Sequence, residues 1–156
     1  MAIKSRRIGE QVDRNTLGRI RVANNSGVNI GKGKVVSVVG VSASGGHLAI
    51  ALADRDGASG IRASGLKFVT DHAIANGATG IVVDWAIIEM DTSALSVGDE
   101  LWLKDDGSGD LEPLPGPAYP INSPDYNRVV AQVLDVGTDG FVLVAPNAVW
   151  RQLSDD

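Results

Sequence analysis

What most constrains this chain is how briefly any apolar pattern runs before a turn interrupts it. From Gly18 onward, short Val- and Ile-rich runs alternate with Gly, Asn, Asp and Ser at roughly 8–12-residue spacing, the signature of a small sandwich or barrel. "GRIRVAN" (18–24) sets Ile20 and Val22 on one face and Arg19 and Arg21 on the other, which is a half-buried strand. "NNSG" and "GKG" are turns, and "VVSVVGV" (35–41) is an apolar strand. "SASGG" introduces a strand with Leu48, Ile50 and Leu52 on one face. The span 55–67 shows no period, and "DHAIANGATG" (71–80) reads as a tight loop or a short turn of helix. "IVVDWAIIEM" (81–90) is a strand whose alternation breaks at Asp84-Trp85, predicting a bulge or bend there. "DELWLK" and "DDGSGD" give a strand and a hairpin turn, and 127–137 with 140–146 form a closing hairpin. The expectation is an all-β fold, a small β-barrel or sandwich of about eight or nine short strands. An extended basic N-terminal arm (1–17) precedes the β-domain (18–146), and a tail (147–156) that suits a short helix follows it.

Composition narrows the chemistry. A chain of 156 residues with 44% apolar side chains is long enough to bury a core as one domain. With no cysteine it has no disulfides, thiol nucleophile or thiolate-bound metal. No apolar run is long enough for a membrane span, and "MAIKSRRIGEQ" lacks the apolar core of a cleaved signal. The expectation is therefore a soluble chain made in a cytoplasm, with no membrane partner. The net charge of −5 is unevenly distributed. Residues 1–21 carry six basic and two acidic side chains, against eight basic and seventeen acidic in the remainder. A basic arm on an acidic body suits docking to an acidic surface; a solvated arm without a partner is the plainer reading. Nucleic acid is not expected, because the arm has no aromatic residue to stack on bases and the body would repel phosphate.

The catalytic candidates are few. "DTS" (91–93) looks like the nucleophile-activating triplet of an aspartic protease, in which two such aspartates share a proton. The chain has a single triplet, and "VLDVG" (133–137) puts an acid where the bracing segment should be apolar. The structural reading of Asp91 and Thr92 is a turn capped by side chains. His47 and His72 have no ligand partner at helical spacing, so no metal is expected. "GVNIGKGK" lacks the spacing of a phosphate loop. The proline-rich segment 113–126 holds five of the six prolines and cannot be an interior strand. At that length it suits a contact role, with Tyr119 and Tyr126 as candidates, or else a surface loop packed on its own barrel. No cofactor and no enzymatic activity are expected.

Taken in order, five segments resemble a β-rich module of tailed-phage structural proteins, of the capsid-decoration and head-fibre type. They are "IRVANNSGVNIGKGKVVSVVGV", "LAIALAD", "AIANGATGIVVDWAIIEMDTSALSVGDELWL", "GDLEPLPG" and "NRVVAQVLDVGTDGFVLVAP", together covering about Arg19 to Pro146. One departure stands out: relatives usually carry Gly after the "IVV" strand, where this chain has Trp85-Ala86, making Trp85 a candidate contact. The resemblance implies a non-enzymatic virion protein, frequently trimeric, whose partner is the major capsid protein of the same phage. On that footing Arg6, Arg7, Arg14, Arg19 and Arg21 are the expected capsid contacts, through charge-assisted bonds. A tail- or head-fibre component is the first alternative. A small aspartyl-type hydrolase centred on Asp91 is the second.

Overall fold

The computed structural model describes residues 18–43, 46–113, 126 and 128–148. The arm, Tyr119 and the last residues of the tail lie outside these. The described chain is all-β, with ten strands and one short helical segment, against the eight or nine strands expected. Five strands close a barrel: β1 (Arg19–Asn24), β2 (Val35–Val41), β3 (Leu48–Leu52), β4 (Lys67–Thr70) and β5 (Thr79–Val83). They are ordered β1-β3-β2-β4-β5, and β1 returns to pair with β5. All neighbours are antiparallel except β1 and β3, which run parallel. The other five strands form a second sheet: β6 (Ala86–Met90), β7 (Glu100–Leu103), β8 (Leu111–Pro113), β9 (Ala131–Asp135) and β10 (Gly140–Val144), in the order β6-β10-β9-β7-β8.

Strands that serve two cores explain why the barrel segments read as nearly continuous apolar runs. Successive side chains on a strand point to opposite faces. Val36 of β2, Phe68 of β4 and Val82 of β5 point into the barrel, where they meet Val22, Ile30, Ile50 and Ile74. Their neighbours Val35, Val69 and Val83 point outward into a second core, against Leu101, Leu103, Leu111, Val133, Val142 and Val144 of the sheet. At β6, by contrast, the sheet is covered on one face only, so that strand alternates: Ala86, Ile88 and Met90 pack on that core while Ile87 and Glu89 are exposed.

The break at Asp84-Trp85 proves to be more than a bulge. β5 ends at Val83 in the barrel and β6 starts at Ala86 in the sheet, so two residues carry the chain from one layer to the other. The span without a period, 55–67, contains a 3-10 turn (Gly57–Ser59) and a single helical turn, α1 (Ile61–Ser64). Residues 71–78 form a loop, tied at Ile74 by a bridge to Ile30 that plugs one end of the barrel, and Thr79-Gly80 already belong to β5. The β7–β8 turn docks on the barrel through Gly109, whose N–H donates to the Ala53 carbonyl at 3.1 Å and whose carbonyl accepts from Val35 N–H at 3.0 Å. A Cβ at Gly109 would come within 2.4 Å of the Val35 carbonyl oxygen, and its φ of +69° also favours glycine.

Candidate functional site

The motifs that suggested chemistry turn out to tie backbone to backbone. Thr92 is fully buried. Its hydroxyl donates to the Asp135 carbonyl at 2.7 Å and accepts from Gly137 N–H at 3.1 Å, and its own N–H donates to the Gly137 carbonyl at 2.9 Å. Asp91 is exposed and accepts from the hydroxyl and N–H of Ser93, at 2.6 and 3.0 Å. Those two bonds hold its carboxyl below the usual range, the hydroxyl bond contributing most. The triplet is thus a side-chain-capped turn that latches the end of β6 onto the β9–β10 turn. The acid in "VLDVG" supplies a backbone carbonyl there.

A second latch joins two further motifs. Asn24 is fully buried; its amide donates to the carbonyls of Val28 and Ile74 at 2.8 and 2.9 Å, and its oxygen accepts from the Ser26 hydroxyl at 2.7 Å. Asn76 accepts from Gly27 N–H, Asn29 accepts from Asn76 N–H, both at 2.9 Å, and Gly77 N–H donates to the Asn24 carbonyl at 2.6 Å. "NNSGVN" and "ANGATG" therefore form one knot that closes the barrel end.

The expected contact residues divide by position. Arg6, Arg7, Arg14 and Tyr119 lie outside the described residues. Arg19 and Arg21 project from the exposed side of β1, and Arg19 pairs with Asp71 at 3.2 Å in the open. Such a surface pair contributes little to stability, about 0–1 kcal/mol. Trp85 is 61% exposed in the β5–β6 connection. Tyr126 is half-buried against the core, with the Lys67 ammonium 4.1 Å and the Arg128 guanidinium 5.9 Å from the centre of its ring. Its N–H donates to the Arg55 carbonyl at 2.8 Å. Burial raises the Tyr126 phenol above its ordinary value, opposed by the charge on Arg128.

Two buried cations escaped the sequence reading. Arg55 is 1% exposed, lies 4.2 Å over the Trp102 ring and pairs with Glu112 at 3.1 Å and Asp105 at 3.3 Å. A Trp in the polar phase of "DELWLK", flanked by acids, was the available signal for a covering cation. Lys67 is equally buried and donates to the carbonyls of Ala63 and Gly65 at 2.6 and 2.8 Å. Burial, helped by the charge of Arg128, lowers its ammonium to about 8.

The outer face of the sheet is covered unevenly. Over β7 and β8, Arg55 shields Trp102. Over β6, β10 and β9 the face is bare: Ile87 lies opposite Leu143, Phe141 opposite Glu89, and Leu134 beyond them is exposed. Beside this band, Trp85, Leu143, Ala145 and Ala148 line an apolar hollow of about 470 Å³. Among the described residues no cluster of His, Asp or Glu is arranged to hold a metal, and no helix is long and apolar enough to cross a membrane. Compared with family models, curated proteins and solved structures, the chain matches none.

Proposed function

We propose that the chain is a structural component of a tailed-phage virion, a capsid decoration protein that binds the outer shell and bridges neighbouring major-capsid subunits, as a homo-oligomer. The observation that carries the reading is the ordered set of motifs from "NNSG" to "GDELWL". Within it, Thr92 of the triplet that suggested chemistry and the buried Asn24 both spend their polar groups on holding turns together. That use of Asp91-Thr92-Ser93 favours a structural module over a hydrolase. Arg19 and Arg21, at the root of the basic segment and facing solvent, support anchoring through that end. An acidic remainder directed away from the shell keeps decorated particles apart. Many moderate contacts repeated over a lattice raise the cost of separating shell subunits, as multivalent attachment does.

The test is to titrate the full chain and a variant lacking residues 2–16 onto expanded, undecorated capsids. The full chain is expected to saturate the shell, and the folded variant to fail. Equal saturation by the variant overturns anchoring by the arm. Failure of the full chain to bind overturns the decoration assignment, and a copy number far below that of the capsid protein moves it to the tail or portal.

A further inference from the structure

We propose that Asn76-Gly77 is a covalent modification site: the knot at the barrel end holds it unreactive, and opening of that end lets Asn76 convert irreversibly to aspartate or isoaspartate. The pair is the only Asn-Gly step in the sequence. Both residues are exposed, so water, the co-reactant, reaches them directly. The turn itself calls for glycine at 77, where φ is +83°, and glycine has no side chain to obstruct its own nitrogen. In the reaction the Gly77 nitrogen attacks Cγ of Asn76. A bond from that nitrogen to Cγ forms, the Cγ–Nδ2 bond breaks, and the proton lost from the Gly77 nitrogen leaves with Nδ2 as ammonia. Water then opens the cyclic imide at either carbonyl. One side gives aspartate; the other gives isoaspartate, with an extra methylene in the main chain. No oxidant or reductant is involved.

Three contacts of the folded chain oppose that attack. The Gly77 N–H donates to the Asn24 carbonyl at 2.6 Å, so the attacking nitrogen is turned toward the end of β1 and its proton is engaged. The Asn76 side chain accepts from Gly27 N–H at 2.9 Å, which pins the carboxamide on the neighbouring turn. The N–H of Asn76 donates to Asn29 Oδ1 at 2.9 Å and fixes the backbone between them. Every one of these ties reaches into residues 24–29, so all are lost together when the 71–78 loop lifts away, as a local opening of the barrel end requires. The two products differ in what they permit afterwards. Aspartate still offers an oxygen to Gly27 N–H, and the knot can close again. Isoaspartate lengthens the main chain between residues 76 and 77, which carries the Gly77 N–H away from the Asn24 carbonyl and leaves the end loosened. This inference does not depend on the virion reading, since it concerns the isolated chain.

Peptide mapping by mass spectrometry of the full chain, aged in mildly alkaline buffer, tests it. The folded wild type is expected to convert Asn76 at least roughly tenfold more slowly than the same chain unfolded in urea. Asn29→Ala removes an exposed side chain and one of the ties, and is expected to speed conversion of the folded chain several-fold. The folded Asn24→Ala variant is expected to be faster still. The purified isoaspartate form is expected to melt below the unreacted chain. Conversion as fast in the folded wild type as in urea overturns the inference, and so does a wild-type rate in folded Asn29→Ala. Should Asn24→Ala fail to fold, Asn29→Ala decides alone. An isoaspartate form that melts with the unreacted chain overturns the loosening of the barrel end. Because no capsid is present, failure here leaves the decoration assignment to its own test.

Discussion

A Cβ built on Gly140 would lie 1.9 Å from the hydroxyl oxygen of Thr92, so the first residue of β10 is glycine because the threonine latch occupies the space beside it. Two predictions on stability follow from that approach. Thr92→Val keeps the shape but strips the hydroxyl from the Asp135 carbonyl and Gly137 N–H, costing about 1–3 kcal/mol for groups left without a partner. Gly140→Ala costs about 1–3 kcal/mol or more, since backbone must shift to relieve the overlap. Asp91→Asn leaves the thermal midpoint nearly unchanged, its side chain being exposed. Chemical denaturation of the three variants checks the order; a larger loss for Asp91→Asn than for Thr92→Val would contradict the latch.

The asparagine knot makes a parallel contrast between buried and exposed members. Asn24→Ala removes a buried amide that serves two carbonyls, and is expected to cost roughly 2–4 kcal/mol. Asn76→Ala removes one exposed acceptor and is expected to cost about 1 kcal/mol or less. Equal losses at the two positions in urea titrations would show that Asn24 does not organise the barrel end.

What the residues reveal on their own depends on how many faces each strand buries. β1 has one wet face, so the alternation of Arg19, Ile20, Arg21 and Val22 was readable directly. The first half of β2, β4 and the end of β5 are buried on both faces, and pairs such as Val35-Val36 and Val82-Val83 announce a strand without saying that each member enters a different core. The interruption at Asp84-Trp85 was visible, but a bulge and a change of sheet break alternation alike, and only pairing distinguishes them. The parallel β1–β3 pair and the tie from Thr92 to Asp135 join residues distant in sequence with no local pattern to signal them. Arg55 and Lys67 were hidden for a different reason: a charged residue among small ones reads as solvated, because burial of a cation depends on distant partners such as Trp102, Glu112 and Tyr126.

Arg55 supports a prediction that separates its charge from its bulk. Arg55→Ala removes both the cover over Trp102 and the partner of Glu112, and is expected to cost roughly 2–4 kcal/mol. Arg55→Met retains cover on the indole and is expected to recover about half of that loss. Trp102 fluorescence reports the cover, with a red shift in the alanine variant as water reaches the ring and a smaller one in the methionine variant. No shift in either variant would mean that Arg55 does not shield the indole.

Lys67 gives the fold a pH dependence whose sign is set by its lowered ammonium. The folded value is about 8 and the ordinary value is 10.5. Below pH 8 both folded and unfolded chains hold the proton, and the folded state bears the full cost of a buried charge. Between 8 and 10.5 the folded lysine has lost its proton while the unfolded one retains it, so unfolding takes up a proton and stability rises with pH. The slope approaches at most about 1.4 kcal/mol per pH unit for one proton. Tyr126 acts in the opposite sense, because its raised phenol holds a proton that the unfolded chain releases near and above 10, so stability falls there. Thermal midpoints measured from pH 7 to 11 are therefore expected to climb from about 8, then turn over above about 10. Lys67→Met is expected to be more stable than the wild type at pH 7 and to lose the climb while keeping the turnover. A climb that persists in Lys67→Met would assign the effect to another group.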